Sequence, residues 1–458
     1  MKQVNAILGT ALIVSAATLS VLSYSAGAAD LPKSTQKIIA KLKLPPALLK
    51  GLEEEAKMPA KMLAAAKKEK GRLKIGGTWD SDQFSKLIAP FKERFPFIDV
   101  RYARATRHDR VIKPLIAYQN GRIINDIISG VGAKFVLFRN LNAIENLSSV
   151  PNWKNVPKGM KHPKGLWIGQ RLRYWCMSYN TDRVKKAELP KTWDDLITDK
   201  RWHNKKIGLG NRPNLWLIGL WGTKGRKWAT QYARDLLHVV NPQLRKEGMN
   251  ALIGLTVAGE FDAALPSAAY RTGQMIQKGA PVGWHCPEPV PLSISEMVVM
   301  RGSKRKNSAL MFINWFLSKE GQISQFASNL APPVHRDLQT KEFLTFPDQI
   351  VGKKIAFRDP EVLESDLPKL LRVWDPLWFS GRGMKLVAVD STITRLKRGA
   401  RYVVFKVKGK SHTVKVSGSR TEVSVKGKEA GRKQLKVGMK CKFTYPGDKE
   451  EAKRINCK

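Results

Sequence analysis

The chain has 458 residues, 43% of them hydrophobic, enough for two or three domains with ordinary cores. Its 81 Lys and Arg against 38 Asp and Glu give a formal charge of +43, which favours anionic ligands or surfaces and carries no information on fold. Beyond the first residues no stretch approaches the ~18 consecutive apolar residues of a membrane span, and no repeat or low-complexity tract occurs, which excludes a polytopic membrane protein and a repeat array.

Met1, Lys2 and Gln3 precede an almost uncharged run from Ala6 to Leu22 and the small-residue stretch SAGAAD. This pattern predicts a secretory signal peptide over residues 1–29, cut after Ala28 or Ala29; an uncleaved anchor is the alternative, disfavoured by the Ala-rich exit. No Cys follows the cut, which argues against a lipid anchor. The expected location is the periplasm, where disulfides form. Cys441 and Cys457 lie close together and are expected to pair, at about 3 kcal/mol in the chain-entropy model. Cys176 and Cys286 lie far apart and read as buried thiols.

Residues 30–71 form a helical lead-in, with Gly71 placed as its stop. RLKIGGTW is a strand running into glycines, SDQFSKLIAPFKERFP a capped helix despite Pro90, FIDVRYA an alternating strand, and Ile123 to Ile128 a buried strand. Strands alternating with helices predict a parallel, helix-covered α/β sheet. Ligands collect beyond the carboxyl ends of such strands, which makes the loops Gly76 to Ser81 and Ser129 to Gly132 candidate contacts. Further on, the strand YWCMSYNT, the strand IGLG ending in the polar loop Asn211 to Asn214, the helices LWLIGLWG and ARDLLHVV, and the strand FDAALPSAAYR build a second α/β lobe.

Four motifs in order, LAAAKKEKGRLKI, LPKTWDDL, KGAPVGWHCPEPVPLS and NSALMFINWFLSKEGQ, resemble the extracellular solute-binding proteins of ABC importers, in the group of ferric-iron, thiamine and aminoethylphosphonate binders. The resemblance runs from about Met58 to Leu338. It implies a two-lobed periplasmic-binding-protein fold, type II-like, that closes over a ligand by a hinge and docks on an importer permease. Lobe 1 would take residues 72–178, lobe 2 residues 179–285, and a return to lobe 1 with C-terminal helices residues 286–384. YWCMSYNT and VGWHCPEPV would be the crossing strands, which brings Cys176 near Cys286 and permits a second disulfide.

No histidine has a second within four residues, and GxSxG, Walker A and GxGxxG motifs do not occur. No catalytic residue, metal site or cofactor is therefore assigned, and the chain is not read as an enzyme. His285, Cys286 and Glu288 would hold a metal only with partners from elsewhere; as ordinary strand residues, with Pro287, Pro289 and Pro291 stiffening a hinge strand at a sheet edge, they need none. Glu288 either faces the cleft or pairs with a surface Lys. The expected ligand contacts are Thr78, Trp79, Arg107, Ser129, Gly130, Trp175, Asn211, Trp216, Ser267, Tyr270, Arg271, Trp284 and Glu288. Rings and forked guanidinium donors suit a carboxylate or phosphate. The ferric members of the resembling group use adjacent tyrosines, and this sequence has no Tyr-Tyr pair. That leaves a small anionic or zwitterionic solute as the expected ligand, with a ferric chelate as an alternative.

Residues 385–458 alternate apolar and polar residues between Gly, Ser and Asp turns, which predicts a small all-β domain, an OB-like barrel or sandwich. It carries 21 Lys and Arg against six Asp and Glu. One reading tethers the protein to an anionic envelope polymer beside a degenerate cleft; the other is a solvated basic face. Nucleic acid is disfavoured, because the few aromatics, Tyr402, Phe405, Phe443 and Tyr445, are spaced to place some of them inside.

Overall fold

The computed structural model describes residues 31–106, 108–418 and 420–458. The expected signal peptide and the candidate ligand residue Arg107 lie outside the described residues. Among them, no helix is long and apolar enough to cross a membrane.

Four short helices between Lys33 and Lys67 lead into β1 (Leu73–Gly77), the helix Ser81–Arg94, β2 (Val100–Arg104) and β3 (Ile127–Ser129). β1 pairs in parallel with both β2 and β3. The third strand is shorter than the sequence suggests and begins four residues later; just before it, the Asp126 carboxylate accepts the Lys74 N–H (2.7 Å) and the Ser303 hydroxyl (2.6 Å). Pro90 sits inside its helix with Phe84, Leu87, Ile88 and Phe91 on the buried side.

β4 (Ile168–Asn180) joins the halves of the molecule. Its first part pairs antiparallel with β9 (Val290–Val299), and its second part pairs with β7 (Ala263–Ala268) and β8 (Val282–His285). β5 (Ile207–Gly210) and β6 (Gln243–Arg245) complete the second lobe beside β7. β10 (Ile355–Arg358) pairs in parallel with β9. The path β2-β1-β3-β9-β4-β7-β5-β6 is therefore continuous across the lobes, with β4 as the shared strand.

The return crossing is residues 286–289, between β8 and β9. Here the expected sheet edge is not found: β9 lies inside the sheet, and Cys286, Pro287, Pro289 and Pro291 are buried while Glu288 is exposed. The prolines are accommodated because pairing of β9 with β4 starts only at Leu292. LPKTWDDL folds onto this crossing, where Trp193 Nε1 donates to the Pro289 carbonyl (2.9 Å) and His285 Nε2 to that of Pro190 (2.6 Å). A disulfide joins Cys176 of β4 to Cys286.

The helix Leu363–Ser380 was not legible in the sequence, since Pro368 and Pro376 stand inside it. It packs on the second-lobe helices Leu217–Thr223 and Arg226–Asp235, and Trp374 meets Trp216 edge-on at 6.4 Å.

The C-terminal domain is all-β, ordered β13-β12-β11-β16-β17-β14-β15 from β11 (Val387–Lys397), β12 (Tyr402–Val407), β13 (Lys410–Lys415), β14 (Glu422–Val425), β15 (Lys428–Ala430), β16 (Lys440–Tyr445) and β17 (Arg454–Cys457). β11 pairs with β16 through Thr392 and with β12 from Ile393 on, with a bulge between Ile393 and Arg395. Bulges bend strands, which lets one strand serve two pairings. Phe405 and Phe443 stack at 3.8 Å in the core, and Cys441 is bridged to Cys457. The domain touches both lobes: Lys134 pairs with Glu429 (2.8 Å), Lys246 with Glu450 (3.0 Å), and Lys453 with Asp375 of the Trp374 helix (2.9 Å).

Because Cys176 and Cys286 are 110 residues apart, replacing both by Ser should lower stability by about 4–5 kcal/mol in the chain-entropy model, read as a lower urea midpoint in the oxidised protein. An unchanged midpoint would show that the bridge adds nothing to folding.

Candidate functional site

β4 alternates, so Arg171 and Arg173 project from one face of the strand shared by the lobes. Arg171 is 1% exposed. Its Nη2 donates to Thr78 Oγ1 (3.2 Å), while its Nε and Nη1 find no acceptor among the described residues. Nε of Arg173 is in the same condition. A buried donor without an acceptor costs free energy, more when it is charged. Burial, reinforced by Arg173 and Arg271, pushes the Arg171 pKa down to about 10.

The surrounding groups come from strand ends and loops of both lobes. From the first lobe, Thr78 and Trp79 follow β1, and Ser129 ends β3. Thr78 and Ser129 hydroxyl oxygens are 3.5 Å apart, and Ser129 donates to Gln170 Oε1 (2.5 Å). Gly130 has φ +75°, and a Cβ there would lie 2.8 Å from Thr78 Cγ2, so the turn needs glycine. From the second lobe, Tyr270 and Arg271 open the helix Ala269–Ile276 that follows β7. The Arg171 guanidinium lies 5.3 Å from the Tyr270 ring centre and 5.8 Å from that of Trp79.

Arg271 reaches across the lobes to Asp80 (2.7 Å), which also meets Arg104 at 3.0 Å. Burial opposes ionisation of Asp80, but the hydrogen bond and charge of Arg271, with Arg104 and Arg171, outweigh it and lower its pKa. Glu296 is the other carboxylate here, taking the Gly132 N–H (3.2 Å) and standing 3.5 Å from Arg358. Among the described residues five arginines, 104, 171, 173, 271 and 358, thus face two carboxylates, and the site is net positive. Tyr270 registers this field: burial alone would raise its phenol pKa, yet Arg171, Arg271 and Arg173 bring it below the usual tyrosine value.

The structure therefore gathers Thr78, Trp79, Ser129, Gly130, Tyr270 and Arg271 around Arg171. Of the other described candidates, Trp175 lies beside Arg173 of the same site and the rest stand elsewhere. Trp216 is fully buried and stacked on Trp193 at 5.1 Å, and Asn211 accepts from Trp374 Nε1 (2.8 Å). Trp284 stacks on Phe346 at 5.3 Å and donates to the Ser267 carbonyl. The Ser267 hydroxyl bonds that of Ser178 (2.9 Å). Trp175 donates to Ser293 Oγ (2.7 Å), with the Arg173 guanidinium 5.4 Å from its ring. Glu288 is exposed and accepts the Lys354 N–H (3.0 Å). Sequence reasoning overlooked Arg171, Arg173, Asp80 and Glu296; the available signal was two arginines at alternate positions in QRLRYW, entering an otherwise apolar strand.

A separate cluster, Glu55, His335 and Asp337, has metal-ligating atoms within 4.8 Å of one another. The Asp337 N–H donates to His335 Nδ1 (3.2 Å), so Nε2 carries the proton and donates to Glu55 (3.1 Å). Both ring nitrogens are thus engaged within the protein.

Two outcomes follow from the buried charges. Arg171→Met should leave the ligand-free protein equally stable or more so by about 1–4 kcal/mol, because it removes a buried cation with incomplete hydrogen bonding; a large loss in a urea melt would contradict this. Tyrosinate absorbance should show one group titrating below pH 10 that Tyr270→Phe abolishes. With the folded pKa depressed, this group's stabilisation is complete above the unfolded value near 10 and is lost as pH falls through the folded value.

Residues 123–350 match the family described as bacterial extracellular solute-binding protein. A comparison with curated proteins finds no match. Among solved structures, the Trichodesmium protein IdiA (FutA), in complex with iron and citrate ligands, is 20% identical with a TM-score of 0.56, covering 67% of this chain and 99% of its own. The ferric binding protein from Campylobacter jejuni is 19% identical with a TM-score of 0.56 over 67% of this chain and 99% of its own. The periplasmic binding protein AfuA from Actinobacillus pleuropneumoniae, with exogenous fructose-6-phosphate bound, is 17% identical with a TM-score of 0.54 over 67% and 98%. At these identities the likeness concerns the two-lobed fold alone.

Proposed function

The chain belongs, through residues 123–350, to the bacterial extracellular solute-binding proteins, and from that premise we propose that it is a periplasmic receptor which closes two lobes over a small organic anion and presents it to an ABC importer. Members of this family bind solutes rather than transform them. The observation that carries the ligand class is Arg171: a guanidinium buried on the shared strand, with two N–H-bearing nitrogens lacking acceptors and more arginines than carboxylates around it. A phosphate or carboxylate supplies those acceptors and the missing charge together. AfuA, with its bound sugar phosphate, offers a precedent in the same fold.

The mechanism is a population shift. Thr78, Ser129 and Arg171 stand on the first lobe and the shared strand, and Tyr270 and Arg271 on the second, so an anion touching both sets is held only when the lobes meet. The Arg271–Asp80 ion pair closes the same gap from the side. Because the Cys176–Cys286 bridge ties β4 to the return crossing, rotation occurs beyond the bridged residues.

A ferric chelate is a second reading within the anion class. A phenol of lowered pKa, as at Tyr270, is a better ligand for a hard cation, and carboxylates of the chelator would meet the arginines. Isothermal titration against sugar phosphates, phosphonates, sulfonates, thiamine, polyamines and ferric citrate decides among these. An organic anion should bind and lose at least tenfold in affinity with Arg171→Met. Ferric citrate binding that gives a visible charge-transfer band, absent in Tyr270→Phe, would favour the chelate. Binding of polyamines alone would overturn the anion assignment.

A further inference from the structure

A basic concavity lies elsewhere, between the first lobe and the C-terminal domain. It has a volume of about 600 Å³, within the usual range of ligand pockets. Lys113 and Arg122 line it from the first lobe; Arg401, Lys415, Arg432 and Lys433 line it from the β-domain. None of these six has a carboxylate within ion-pair distance among the described residues. Arg420, also on the wall, is held by Glu451 at 2.6 Å. Asp109 is the sole carboxylate of the lining, and its Oδ2 accepts from the Thr106 hydroxyl (2.9 Å).

Like charges brought together from two domains repel, and a counter-charge relieves that repulsion. Five of the six are exposed and Arg432 is half-buried, so solvent screens them in part; what sets them apart is that they converge on one concave wall from both sides of a domain boundary. The boundary is closely fitted: His108 from the first lobe packs against the turn at Gly431, where a Cβ would fall 2.1 Å from its Cε1. Burial lowers the pKa of His108; Asp109 opposes this, while Arg432, Lys113 and Lys433 add to it. The floor is not uniformly polar, since Ile116, Ala117, Ile124 and Val416 contribute to it.

We propose that this cavity is a second anion site, formed only when the β-domain is docked, which takes a small molecule bearing at least two phosphate charges on a moiety with an apolar face, the chemistry of a nucleoside diphosphate. The cations at the rim meet the phosphates and the aliphatic floor meets the ring. The aromatic side chains of the domain have no part in it: Phe405, Phe443 and Tyr445 are buried in its core, and Tyr402 is not on its wall. A long polyanion lying across the basic face would use the same charges but not the floor.

The test is titration calorimetry on the full chain with adenosine diphosphate, inorganic pyrophosphate, adenosine and long-chain polyphosphate as probes. Adenosine diphosphate should bind at one site, at least tenfold tighter than pyrophosphate, with adenosine silent and binding weakened by added salt. Arg432→Ser with Lys433→Ser should reduce the affinity at least tenfold, and so should Arg122→Ser on the opposite wall, with unchanged circular dichroism and thermal midpoint. Arg171→Met should leave this binding as it was. The proposal is overturned if adenosine diphosphate does not bind, if Arg171→Met abolishes the binding while the rim variants do not, or if polyphosphate binds and pyrophosphate equals adenosine diphosphate. Loss of binding in Arg171→Met would place adenosine diphosphate between the lobes instead; the other results leave the interlobe solute to the panel above.

Discussion

A positive charge buried on the strand that both lobes share is the constraint around which this molecule is arranged. Arg171 has no carboxylate to neutralise it directly, and one of its three nitrogens is satisfied by Thr78. Such a group is destabilising in an unliganded protein. It makes sense in a receptor, where the cost of holding donors dry and oriented is met when an anion arrives. Stability and the proposed binding therefore pull Arg171 in opposite directions, a trade-off familiar at functional sites.

The rest of the fold serves that arrangement. β4 runs through both lobes, so its arginines keep their place whichever way the lobes move, while Thr78 and Ser129 ride on one side and Tyr270 and Arg271 on the other. The second crossing is held by a disulfide, by Trp193 on the Pro289 carbonyl and by His285 on that of Pro190. These contacts are buried and specific, and they make the pivot rigid around its crossing points. The β-domain adds ion pairs to each lobe and to the Trp374 helix, so it is positioned to feel their relative movement. Of these, Lys453–Asp375 is the most enclosed: burial raises the Asp375 pKa, and Lys453 works against the rise. The exposed pairs contribute little individually.

The two basic regions differ in a way that suits them to different chemistry. Between the lobes the arginines are dry and few, suited to a small solute that must be recognised in detail. At the β-domain boundary the cations are solvated and many, suited to a higher charge held less exactingly. A net charge of +43 made both expected in kind, without indicating where either would lie.

The sequence by itself determined the α/β class, the two lobes and the basic β-domain, because hydrophobic periodicity, turn residues and the four motifs are local signals. It also carried the pairing of Cys441 with Cys457, sixteen residues apart. Tertiary structure decided which tryptophans lie beside the arginines: Trp79, Trp216 and Trp284 are all buried, but Trp79 packs near Arg171 while the other two are held against Trp193, Trp374 and Phe346. It decided, too, that Arg171 and Arg173 are buried, since an alternating pair of arginines reads as a solvent-facing edge until a second lobe covers it. The helix with Trp374 stayed hidden because its two prolines break the local pattern while burial against the second lobe holds it together. Local propensity is written along the chain; the desolvation of a charge depends on what folds over it from hundreds of residues away.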